Sequence, residues 1–373
     1  MKLVVAAGLS QSEIGGPATF CAHLCELLPQ WGIQVDVQHF SAVRSMPRGS
    51  RHIAFSKRIA GALSSADAVL ALDTVSVGVP TLLACLATGK PYYLRVPGDY
   101  AWEQGRLRFA YTVSLDDHIA GARGRAPWQV RVLGGLQRQV SRSARAVIVP
   151  SEYLRRVVHA WDVPAARVVL IDGGTSFRAG SERDSARIKI GLRPTDRVIL
   201  VAGRFVPHKR LVEACRVFVH VCRRVNACKF LAIGEGPCLS QMQNVLREAG
   251  VDEHSLFIGP MPRDSYLALL SASDVFLSLS EYEGRSHQIM EAMMAGVPVV
   301  ASDIPGNREL IESGVSGLLV DGATVEGVAR SVTRVLETTS LARRISEASR
   351  RRSADFQVDR SIQSLAELLK GSA

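Results

Sequence analysis

The chain has 373 residues, longer than one hydrophobic core usually grows, so two domains of roughly 150 to 200 residues are expected. A hydrophobic content of 47% with 21% charged residues excludes a disordered or fibrous protein, and no run approaches the roughly 20 uninterrupted apolar residues of a membrane helix. The net charge of +10 favours an anionic partner, but no zinc spacing, RNP-like aromatic signature or helix-turn-helix pattern accompanies it, so nucleic acid is not an expected partner.

The opening "KLVVAAG" (2–8) reads as a β-strand, the start being too short for a signal peptide. The loop "GLSQSEIGGPA" follows, and in it Gly15 and Gly16 would let backbone approach an anion at a helix start. The pair does not fit GxGxxG, and no acidic residue ends the second strand at the usual place, which argues against a dinucleotide cofactor. Ala18, Cys21, Leu24, Cys25 and Leu28 then share one helical face. Further strand-like runs are "VDVQHF" (35–40), "AVLAL" (68–72), "PYYLRV" (91–96), "AVIVPS" (146–151) and "VVLID" (168–172). Residues 95 to 156 hold eleven Arg against five Asp or Glu, which suits an acidic surface or a phosphorylated molecule as well as a plain solvated face.

The polar stretch 173–196 accumulates Gly, Ser, Arg and Pro and reads as a linker. A second series follows: "RVILVAG", "KFLAIGEG", "LFIGPM", "VFLSLS", "VPVVAS" and "GLLVD". Strands alternating with amphipathic helices predict two consecutive doubly wound α/β domains with parallel sheets. Ligands of such sheets bind beyond the carboxyl ends of the strands, so "GRFVPHK", "GEGP", "EYEGRSHQ" and "PGDYAWE" are the loops that matter. The seven cysteines form no CxxC pair and read as reduced core thiols, and neither His nor carboxylates show metal-ligand spacing.

Two constellations stand in these loops. Arg204 and Lys209, five residues apart, could flank a diphosphate, a bidentate fork on one side and a point charge on the other. Glu283 and Glu291 flank a glycine and a polar run after a strand. On one helix, eight residues would turn them by about 80° and separate them by roughly 12 Å, so both would reach one extended ligand. Between them, residues 284 to 287 would offer the N–H groups of a helix start, which terminates at Gly296 in a left-handed cap.

"GRFVPHK" together with "EGRSHQIMEAMMAGVPVVAS" and "GNRELIESGVSGLLV" resembles the GT-B retaining glycosyltransferases of family 4. The resemblance covers the second half and, more loosely, "GGPATFCAHLCELL" and the C-terminal tail. It implies a GT-B architecture of two Rossmann-like doubly wound domains facing across a cleft. An acceptor-binding domain would span 1–173, a linker 174–196, a donor-binding domain 197–352 and a helical tail 353–373 that packs back on the first domain. By the same resemblance, Arg204 and Lys209 would hold the diphosphate of a nucleotide sugar, Glu291 its ribose and Glu283 the hydroxyls of the transferred sugar. The amides of Gly284, Arg285, Ser286 and His287 would cradle sugar and phosphate, with Gly16 closing the site from the first domain. Where the family often carries His after the fourth strand, this chain has Asp99. It would orient donor sugar or acceptor hydroxyl unless it serves only as a helix N-cap, and His118 is its competitor. The implied activity is retaining transfer of a hexose from a UDP- or GDP-sugar to an anionic, lipid-linked or glycan acceptor, without a metal or other cofactor. It would take place in the cytoplasm, with peripheral contact at the inner face of the membrane allowed. A nucleotide-sugar epimerase or hydrolase, a phosphorylase, and a non-catalytic nucleotide-sugar binder are the alternatives.

Overall fold

The β-branched apolar runs of the sequence all become strands in the computed structural model, which describes residues 1–8, 16–47, 49–177, 183–321 and 324–371. Two compact units emerge: Met1–Gly174 with Val358–Ala373, and Thr175–Gln357.

In the first unit β1 (Lys2–Ala7), β2 (Gln34–His39), β3 (Ala68–Ala71), β4 (Tyr92–Arg95), β5 (Ala146–Val149) and β6 (Val168–Leu170) pair in parallel in the order β2-β1-β3-β4-β5-β6. In the second, β7 (Arg197–Ala202), β8 (Cys228–Ile233), β9 (Ser255–Ile258), β10 (Val275–Ser278), β11 (Val299–Ser302) and β12 (Leu318–Val320) pair in parallel in the order β12-β11-β10-β7-β8-β9. Every residue of β3, β4, β5, β10 and β11 is buried, because helices cover both faces of each sheet, and this is why these runs lack a polar alternation. The expected helical face behind the first strand sits on helix Gly16–Leu27 and its continuation, where Cys21, Leu24 and Leu28 are fully buried. The final helix Val358–Gly371 adds Val358, Ile362, Leu365, Ala366 and Leu369 to that same core.

The stretch 174–196 differs from the expected linker. From Thr175 onward it belongs to the second unit, and helix Arg183–Lys189 carries an arginine, Arg187, with 1% of its surface exposed. Its guanidinium meets Asp274 at 2.8 Å and donates to the carbonyls of Ala272, Pro194 and Asp196. Asp274 in turn accepts from the Val198 amide at the start of β7. A composition rich in Ser and Arg looked solvated, but a fully hydrogen-bonded arginine can be buried.

None of the seven cysteines is joined in a disulfide. Among the described residues no helix is long and apolar enough to cross a membrane, and no group of three or more His, Cys, Asp or Glu side chains could hold a metal ion. Some of the arginine surplus is structural: the Arg95 guanidinium is buried and lies 3.9 Å from the centroid of the Phe20 ring.

Candidate active site

The strand order of the second sheet reverses between β10 and β7, so the connections leaving these parallel neighbours diverge and open a crevice beyond their carboxyl ends. The loop after β7 carries Arg204 and Lys209; the loop after β10 carries Glu283. Sequence spacing could not place these residues together, and the strand order does. Lys209 ends the short turn Pro207–Lys209, and its Nζ donates to Glu283 Oε1 at 2.6 Å. Ser280 Oγ donates to the same oxygen at 2.7 Å. Arg204 is exposed in the same loop.

The carboxylate is held by a chain of supports behind it. The Glu281 amide donates to the His208 carbonyl at 2.8 Å, tying the two loops together. Ser302 Oγ donates to the Ser280 carbonyl at 2.6 Å, and Asn307 Nδ2 to the Ser302 carbonyl at 2.9 Å. Gly306 lies against the backbone of Glu283: a Cβ there would fall 2.0 Å from the Glu283 carbonyl oxygen. Gly306→Ala therefore has to displace that backbone. A shift of this kind at a positioning residue is expected to lower kcat by roughly tenfold to a hundredfold. Steady-state kinetics on a variant that retains its circular dichroism checks this, and an unchanged kcat would show that Glu283 need not be held there.

Glu283 and Glu291 do not share a helix. The helix begins at His287, where Ser286 caps it by accepting the Ile289 amide, and it ends at Gly296 in the left-handed conformation, φ 73°. Glu283 thus lies in the preceding loop, placed by Lys209 and Ser280 rather than by helical rotation. Of the cradle residues, Gly284, Arg285 and Ser286 precede the helix and His287 opens it, where N–H groups lack intrahelical partners. The Arg285 side chain is itself buried, over the Phe356 ring and 3.8 Å from Glu309, which leaves its backbone as the group facing the loop chemistry.

Glu291 is 3% exposed, one turn into the helix. Burial pushes its pKa up, opposed by Arg263, whose Nη1 sits 2.5 Å from Oε1, and by the nearby hydroxyls of Tyr266 and Thr175. Arg263 also donates to Thr175 Oγ1 and to the Ser176 carbonyl. Sequence reasoning missed Arg263. Its signal was available, a cation directly after the strand run in "LFIGPMPR", on the edge where ligands bind. Nothing in the spacing of Ser302, Gly306 and Asn307 pointed to Glu283, since they support its loop from the end of β11 and from the helix Pro305–Arg308.

In the first unit Asp99 is the N-cap of helix Tyr100–Arg108: Oδ1 accepts from the Trp102 amide at 3.0 Å. The structural reading of this residue is therefore present. It does not exhaust the side chain, which is 1% exposed with Oδ2 bonded to no described group. His118, weighed against Asp99, lines the same cavity, and its Nδ1 lies 3.0 Å from the Tyr111 hydroxyl. Burial lowers its pKa, with Asp99 opposing. Gly16 opens helix Gly16–Leu27, and Gly15 lies outside the described residues.

Residues 182–352 match the family model described as glycosyl transferases group 1. The D-inositol 3-phosphate glycosyltransferase of Nocardia farcinica (strain IFM 10152) is 28% identical over 232 residues, 59% of this chain and 51% of that protein. The N-acetyl-alpha-D-glucosaminyl L-malate synthase of Bacillus anthracis is 28% identical over 171 residues, 45% of this chain and 44% of that protein. The chain thus spans about half the length of these two relatives. The crystal structure of Anabaena Alr3699/HepE in complex with UDP-glucose superimposes with a TM-score of 0.78 at 18% identity, covering 100% of both chains, and has the same fold.

Proposed function

We propose that this chain, which belongs to the group 1 glycosyl transferases and has the GT-B fold of two Rossmann-like units, moves a hexose from a UDP- or GDP-sugar to a hydroxyl of an anionic, lipid-linked or glycan acceptor, with the anomeric configuration retained. The observation that carries this reading is the Lys209–Glu283 pair at the reversal point of the second sheet, beside the capped start of helix His287–Ala295.

In this arrangement Lys209 and Arg204 meet the diphosphate, supported by the amides at the helix start, which favour negative charge. No metal is required, because these cations and amides take up the charge that develops as the bond from the anomeric carbon to the phosphate oxygen breaks. Glu283 binds hydroxyls of the sugar. Glu291, with Oε1 engaged by Arg263, takes the ribose hydroxyls through its other oxygen. A carboxylate already paired with a lysine is a poor nucleophile, which speaks against a glycosyl-enzyme intermediate on Glu283. The acceptor oxygen then bonds to the anomeric carbon from the face the phosphate leaves, and its proton passes to the departing diphosphate. The names of the two relatives, one acting on an inositol phosphate and one forming a malate conjugate, favour an anionic acceptor. Supply of nucleotide sugars puts the reaction in the cytoplasm.

Incubating the protein with α-linked UDP- and GDP-hexoses and a panel of hydroxylated acceptors, followed by proton NMR of the product, tests the reading. An α-linked product is expected. A β-linked product defeats retention, and donor consumption without any acceptor points instead to an epimerase or hydrolase.

A further inference from the structure

The first unit contains a cavity of about 590 Å³ whose walls include Asp99, His118, Arg123, Trp128, Arg131 and Arg138. This size suits one small ligand. Three guanidinium groups face one carboxylate, so the lining is net positive. His118 adds no further charge at neutral pH, because burial holds its imidazole in the neutral form.

Two polar atoms in this wall bond to no described protein group. One is Asp99 Oδ2, on a side chain that is 1% exposed; the other is Arg123 Nη2, whose sister Nη1 donates to the Ala160 carbonyl. A buried acceptor and a buried donor are both costly to leave unsatisfied, and the pair is matched by a molecule with one hydroxyl and one oxyanion. Arg138 lines the same cavity as Arg123, and its charge adds to the positive field there. Trp128, 68% exposed, supplies an apolar wall.

We infer that this cavity binds a hydroxylated molecule bearing a phosphate or carboxylate, with its hydroxyl donating to Asp99 Oδ2 and its oxyanion held by Arg123 and Arg138. The inference rests on the glycosyl-transfer reading and deepens it, since it names the acceptor as a polyol phosphate or hydroxy acid and gives the residues that hold each group. A neutral sugar would leave the arginines unmatched. A simple anion without a hydroxyl would leave Asp99 unmatched and facing like charge.

The test uses the full chain and the fluorescence of Trp128 and Trp161, both in the cavity wall, backed by calorimetry. Glycerol 3-phosphate and D-glycerate are expected to bind saturably, with glycerol and methyl phosphate each weaker by about tenfold or more, the loss that follows from one unpaired buried group. Arg138→Gln is expected to remove the preference for glycerol 3-phosphate over glycerol. Asp99→Asn, which keeps an oxygen for the Trp102 amide, is expected to remove the preference over methyl phosphate. Arg138 is chosen over Arg123 because Arg123 also supports the Ala160 carbonyl, and both variants are compared with the parent by thermal melting. Vesicles containing phosphatidylglycerol, set against phosphatidylcholine, separate a lipid-borne ligand from a soluble one: retention on the former that Arg138→Gln abolishes identifies the lipid source. Lack of saturable binding by both soluble probes and by the vesicles, or equal binding by the Arg138→Gln protein, overturns the inference. Binding of UDP and GDP, followed in the same samples, separates the two readings: loss of anion binding with nucleotide binding intact defeats only the cavity assignment, and failure of both nucleotides to bind defeats glycosyl transfer.

Discussion

Lys209→Ala lowers kcat by roughly a hundredfold or more and destabilises the fold, whereas Arg204→Ala produces a similar loss of kcat with little change in stability. The difference follows from their surroundings. Arg204 is exposed, so its replacement removes a cation from the leaving diphosphate without stranding a charge in the interior. Lys209 is paired at 2.6 Å with Glu283, a residue only 8% exposed. Without Lys209 that carboxylate keeps the Ser280 hydroxyl but loses its counter-charge, and a buried pair broken on one side costs about 3–5 kcal/mol. Thermal melting and single-turnover kinetics on both variants check this. The double variant Lys209→Ala with Glu283→Gln is expected to recover much of the lost stability, because no buried charge remains, and to recover none of the activity. If the double variant turns over as fast as Glu283→Gln alone, Lys209 serves only to neutralise Glu283, and its part in diphosphate departure is wrong.

Glu283→Gln costs most of kcat, and Glu291→Gln mainly raises the donor KM. Glu283 is fixed between Lys209 and Ser280 and is assigned to the sugar, so its loss misplaces the anomeric carbon at the moment of transfer. Glu291 is assigned to ribose, whose contacts are equal in ground and transition states, so it contributes to binding rather than to the chemical step. A pH signature separates the two. Burial raises the Glu291 pKa, with Arg263 opposing, so on acidification Glu291 takes up its proton at a higher pH than an ordinary glutamate does. The protonated group is a poorer acceptor for ribose hydroxyls, so the donor KM is expected to climb as pH falls, and Glu291→Gln should flatten that climb. Identical kcat and KM changes in the two glutamine variants would remove the division of labour between them. A trapped glycosyl adduct on Glu283 would defeat the mechanism and leave retention intact.

The sequence by itself determined the two doubly wound units. Strands buried on both faces must be continuous apolar runs, and helices must show a one-sided stripe, so the alternation from "KLVVAAG" to "GLLVD" is dictated by burial and can be read locally. It located the loops at the carboxyl ends of the strands for the same reason, since those ends are known once the parallel strands are. The cap at Gly296 was equally local, set by the glycine's access to positive φ.

Tertiary structure alone decided the partners. That Lys209 meets Glu283, 74 residues away, depends on β10 lying beside β7 in the sheet, and that order is set by how helices pack on both faces rather than by any single segment. The same holds for Arg263 with Glu291 and for Gly306 against the Glu283 backbone. Residues 174–196 were misread as a linker for a related reason. Composition records how polar a side chain is, but whether Arg187 is solvated or buried depends on carbonyls and a carboxylate that reach it from Ala272 and Asp274, more than eighty residues on.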